Sequence, residues 1–93
     1  MESQTFQNVF DALADTPAEA ANLKARSELM MAIRAQVDSW GVPQEAAALR
    51  LGVTRPRLND LLRGKLSKFS LDALVNLATA AGLVLEIRIA QAA

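Results

Sequence analysis

The chain has 93 residues with ten basic and ten acidic side chains, so its formal net charge is zero, and it contains neither cysteine nor histidine. A chain this short encloses one domain whose core is marginal unless a second surface adds burial, which makes self-association an expectation from the outset. Without thiols or imidazoles it has no disulfides, no sulfur or nitrogen metal ligands and few nucleophile–base pairs, so the composition predicts a binding protein without metal or cofactor rather than an enzyme.

Met1 to Phe10 lacks a basic start followed by an apolar run. No secretory signal is read there, no apolar stretch is long enough for a bilayer, and the expected location is cytoplasmic. Within an N-terminal segment, residues 1–15, Phe6, Val9, Phe10 and Leu13 fall at helical spacing and predict a short amphipathic helix. Thr16-Pro17-Ala18-Glu19 then combines a capping hydroxyl, a proline preset for the first turn and a glutamate that can reach back, which marks the start of a long helix. Along it Leu23, Met30, Ile33, Val37 and Trp40 form an apolar stripe, read as core, and Gly41 suits a left-handed cap.

Gln44 to Leu51 is a short alanine-rich helix candidate broken by Gly52, and Arg55 to Leu62 is a second, with Thr54 as its N-cap. Phe69 and Leu74 flank a further helix start at Ser70 as a hydrophobic staple, and that helix runs to Gly82 with Leu71, Leu74, Val75, Leu77 and Ala78 on its buried face. The tail changes period. Leu83, Leu85, Ile87 and Ile89 alternate with Val84, Glu86, Arg88 and Ala90, the pattern of a half-buried strand. A lone strand cannot satisfy its own amides and carbonyls. It is expected to pair with the same strand of a second copy, the alternative being an intrachain partner near the N-terminus. The expected layout is thus 1–15, a helical domain over 16–82, and a dimerisation strand and tail over 83–93.

Charge is unevenly placed. Six bases (Arg50, Arg55, Arg57, Arg63, Lys65, Lys68) and one acid (Asp60) lie between residues 50 and 68, a local balance of +5, whereas residues 1–49 carry three bases and seven acids. One strongly basic segment inside a neutral chain is the footprint a phosphate backbone requires. In the same stretch Ala48 and Gly52 stand where two steeply crossing helices need a small residue and a turn that accepts positive φ. Ala47, Leu51, Val53, Leu58 and Leu61 fall on the faces such a pair turns to the core. Residues 44–63 therefore read as a helix-turn-helix unit.

The run GVPQEAAALRLGVTRPRLNDLLRGKLSKFSLDALVNLATAAG resembles the XRE-type (Cro/repressor-like) helix-turn-helix, particularly the HigA-like antitoxin subgroup, and FQNVFDALADTPAEAANLKARSELM and LVLEIRI are similar to that subgroup's opening and closing parts. The resemblance implies a mostly α, lambda-repressor-like bundle of about five helices with one C-terminal β-strand, and a protein that represses its own operon and neutralises a RelE/ParE-like or HigB-like toxin. The subgroup often has serine or threonine in place of Pro43, glutamine in place of Arg55 and serine in place of Asn59, so an operator sequence does not carry over.

In such a unit the second helix enters the major groove, which makes Arg55, Pro56, Arg57 and Asn59 the candidate base contacts. Arg55 suits guanine, Asn59 adenine and Pro56 a thymine methyl. Gln44 and Thr54, at helix starts, and Arg63, Lys65 and Lys68 are the candidate phosphate contacts. Asp60 is expected to pair with Arg57 or Arg63, and Trp40 to pack in the core. Two other readings stand beside an autorepressor antitoxin: a toxin-occluding interaction module, with Phe6, Val9, Phe10 and Leu13 as partner contacts, and a stand-alone phage-type repressor.

Overall fold

The computed structural model describes residues 15–92. The first helix, α1 (Pro17–Trp40), begins at Thr16, whose hydroxyl accepts from the Glu19 amide at 3.1 Å while the Glu19 carboxylate accepts from the Asp15 amide at 2.7 Å. This reciprocal pair satisfies one orphan amide of the helix start and one of the approaching chain. Met30, Ile33 and Val37 of the stripe are buried, Leu23 and Trp40 are half-buried, and Gly41 ends α1 with a φ of 61°.

After that turn come α2 (Gln44–Leu51), α3 (Arg55–Leu62), a 3-10 turn (Leu66–Lys68) and α4 (Leu71–Ala80). The helices form where caps and apolar spacing coincide. Thr54 accepts from the Arg57 amide and Ser70 from the Ala73 amide, each at the start of its helix. Pro43 stands at the N-cap of α2 with no side-chain cap bond, and the helix forms without one.

Ala47, Ala48 and Leu51 of α2, Leu58 and Leu61 of α3, Phe69, and Leu74, Leu77 and Ala78 of α4 close one core over the α1 stripe, with α1 lying chiefly along α4. The largest fully buried side chains are Phe69, Ile33, Leu58, Leu61 and Leu74. Each contributes roughly 1.5–3 kcal/mol of transfer free energy. Leu71 and Val75, expected on the buried face of α4, are half-buried.

Two long-range polar ties hold the layers together. Arg26 of α1 donates from Nη1 to the carbonyls of Leu66 and Phe69, both at 3.2 Å, and Gln36 donates to the Ala81 carbonyl at 2.9 Å, where α4 ends.

Four α-helices are found among the described residues. The expected fifth falls on Phe6, Val9, Phe10 and Leu13, outside the described residues. The expected C-terminal strand is not seen: residues 83–92 carry neither helix nor strand. A strand exists only as half of a ladder, and among the described residues no second extended segment lies beside the tail. No helix among the described residues is long and apolar enough to cross a membrane.

Candidate nucleic-acid interface

The α2–α3 crossing depends on Ala48, which is buried, and on Gly52, whose φ is 73°. A Cβ at Gly52 would meet nothing within 4 Å, so glycine is needed there for its torsion and not for space. With Leu58 and Leu61 at 0% and 1% exposure, the rotation of α3 about its own axis is set. Helical periodicity then turns Pro56, Asn59, Asp60 and Arg63 to the opposite side, with Arg55 at the helix entry. Arg55, Pro56 and Arg63 are exposed, and Asn59 and Asp60 are half-buried.

Arg57 has a different environment. Its Nη1 donates to the Lys68 carbonyl at 2.8 Å, and its guanidinium lies 4.0 Å over the centroid of the Phe69 ring. Phe69 is 1% exposed, so the guanidinium closes the outer side of a core aromatic while tying α3 to the loop that follows. Asp60 holds the same loop from its other side chains. Its carboxylate is 3.5 Å from Lys65 Nζ and 3.6 Å from Lys68 Nζ, in place of the arginine pairing expected from sequence, and its carbonyl accepts from the Lys65 amide. Ion pairs this exposed contribute at most about 1 kcal/mol, so they order two ammonium groups more than they stabilise the fold.

The basic loop is consequently fastened at three points: to α3 through Arg57, to α3 again through Asp60, and to α1 through Arg26. Arg26 was legible as an anomaly. Leu23 and Met30 are seven residues apart because Arg26 occupies the stripe position between them, and a charged group on a buried stripe must find acceptors.

Among the candidate phosphate contacts, Gln44 is exposed in the first turn of α2, where no side chain caps the amides. Thr54 is exposed at the start of α3; its oxygen accepts from the Arg57 amide, which leaves the hydroxyl proton to donate. One residue absent from the sequence reading joins this group. Arg34 of α1 approaches Gly64, where a built Cβ would stand 3.4 Å from its Nη1, and Arg34 shares a cleft with Gln44. Arg50, by contrast, is spent on Trp40, its guanidinium 3.9 Å over the indole.

The arrangement is an exposed helix face of mixed hydrogen-bonding character, bordered by cations, two of them paired with Asp60, and by amide groups at two helix starts. It can fit a groove lined by regularly spaced anions. The sequence model of a family described as a helix-turn-helix domain matches residues 12–90. No curated protein matches the chain.

Proposed function

Since the chain belongs to the helix-turn-helix domain family, we propose that it is a sequence-specific DNA-binding transcriptional regulator acting as a homodimer. The observation that carries this reading is the setting of α3, with Leu58 and Leu61 locked in the core and Arg55, Pro56, Asn59 and Arg63 on the free side. In the major groove Arg55 can donate two bonds to a guanine, Asn59 can pair with an adenine, and Pro56 can contact a thymine methyl.

Gln44, Thr54, Arg63, Lys65 and Lys68, joined by Arg34, meet phosphates and set affinity more than sequence choice. Arg57 serves the interface indirectly, by holding the lysine-bearing loop against α3. Two copies present two recognition helices to half-sites about 34 Å apart, one turn of duplex. The finer reading, an autorepressor that also neutralises a RelE/ParE-like or HigB-like toxin, is supported by the resemblance of the sequence alone. Co-purification with the product of an adjacent reading frame tests it.

The test of the main reading is titration of the protein against its own upstream DNA and against scrambled DNA of equal length, at two salt concentrations. Preference for the upstream sequence is the expected result. Equal, salt-sensitive binding to both would reduce the interface to a generic basic patch.

A further inference from the structure

The tail leaves the helical body with its alternation intact. Leu83 is half-buried against the core, Val84 is 85% exposed and Leu85 43%, so at its start the tail leans on the body through its odd-numbered side. Beneath it lies a groove between α1 and α4, lined by Ala25, Leu29, Ala32, Leu71 and Val75. Further out, Ile87 and Ile89 lie 71% and 88% exposed, although both belong to the apolar side. Among the described residues nothing pairs with this segment.

We propose that the tail is a self-complementary strand that joins two copies of this chain in one antiparallel register, with Ile87 on the two-fold axis and Glu86 of each copy opposite Arg88 of the partner subunit. The inference rests on the homodimer reading above and specifies its contact. When both odd-numbered sides turn to the helical bodies, residues opposite one another must share a side, so the axis passes through a residue and not between two.

Four centres, Leu85, Glu86, Ile87 and Arg88, lie in the middle of the alternating run. An axis at Leu85 sets Glu86 against Val84 and Arg88 against Gly82. An axis at Glu86 sets the two glutamates face to face, and an axis at Arg88 does the same to the two arginines. Only an axis at Ile87 pairs opposite charges, and it does so twice by symmetry. That register also sets Leu85 of one copy against Ile89 of the partner subunit, over the groove, and Val84 against Ala90 of the partner subunit. Direct cross-strand neighbours of opposite charge stabilise a ribbon, and like charges there destabilise it.

Two charge variants and three cysteine variants of the full-length chain test the register. Glu86→Arg gives arginine against arginine across the axis, and Arg88→Glu gives glutamate against glutamate, so each is expected to self-associate about tenfold or more weakly than the parent by sedimentation. Mixed in equal amounts, the two variants restore complementary pairs and are expected to form a heterodimer of near-parental affinity.

Ile87→Cys, in a chain with no other cysteine, is expected to give a disulfide-linked dimer under mild oxidation, because facing residues of an antiparallel pair have Cα atoms about 4.5–5.5 Å apart. Leu85→Cys and Ile89→Cys are expected to cross-link with each other and not with themselves. All of these positions are exposed in the single chain, so the helical core is expected to remain folded. A parent chain that stays monomeric at every concentration overturns the homodimer reading itself. A stable dimer in which the charge variants associate normally and Ile87→Cys does not cross-link keeps the homodimer and overturns the register.

Discussion

Arg57→Ala separates the base contact expected from the sequence from the fastening of the basic loop found in the structure. The structure shows what is removed: a charged donor to the Lys68 carbonyl at 2.8 Å and a guanidinium lying 4.0 Å over the Phe69 ring. A hydrogen bond of this kind in a partly exposed place contributes about 1 kcal/mol, and the cation–π contact roughly 0.5–1 kcal/mol. The expected destabilisation is therefore about 1–2 kcal/mol. For a chain of this size that corresponds to a fall in Tm of roughly 5–15 °C.

Urea unfolding followed by fluorescence of Trp40, the only tryptophan, measures it directly. Arg57→Met is the control, since a thioether can still cover the ring but cannot donate to Lys68, and it is expected to recover part of the loss. DNA titrations complete the comparison. If Arg57 acts through the loop, Arg57→Ala weakens binding to all sequences, and Lys68→Ala costs less in its presence than in its absence. Unchanged stability together with lost discrimination at a single base pair would refute this account and return Arg57 to the base-reading set.

Other perturbations follow from the same geometry. Arg55→Ala is expected to relax preference at one operator position at a cost of ~1–3 kcal/mol, measured on duplexes varied one base pair at a time. Arg63→Ala is expected to weaken operator and scrambled DNA alike, and to reduce the slope of log K against log salt by about 0.9. Gly52→Ala retains space for the methyl group but forces a left-handed residue, so a loss of roughly 1–2 kcal/mol is expected in the urea midpoint with little change in the slope. Leu58→Ala empties a fully buried position on the recognition helix and is expected to cost about 2–5 kcal/mol, read by the same unfolding assay.

Local chemistry was legible without coordinates. Thr16, Thr54 and Ser70 cap helices because a hydroxyl beside orphan amides has one good use, and Gly41 and Gly52 stand at left-handed turns because glycine adopts them without strain. The stripe from Met30 to Val37 and the pair Leu58 and Leu61 are buried because helical spacing alone puts them on one side. The basic segment was visible as a run of charge.

What each cation does depends on neighbours distant in sequence, and only the tertiary structure decided that. Arg57 meets a carbonyl and an aromatic ring of the following loop, Arg50 lies over the tryptophan that ends α1, and Arg26 crosses from α1 to the carbonyls of Leu66 and Phe69. Periodicity assigns a residue to a side of its helix, but long, flexible cationic side chains reach several partners from one side, and packing selects among them. Over residues 16–82 the sequence by itself determined which segments form helices and, Leu71 and Val75 apart, which sides they bury, because caps, turns and apolar spacing act over a few residues. The alternation of the tail did not by itself yield a strand, because a strand needs a partner segment. The tertiary structure decided which charges are left facing outward, because that choice is made by contacts between different elements, 11 residues apart for Arg57 with Lys68 and 40 to 43 for Arg26 with Leu66 and Phe69.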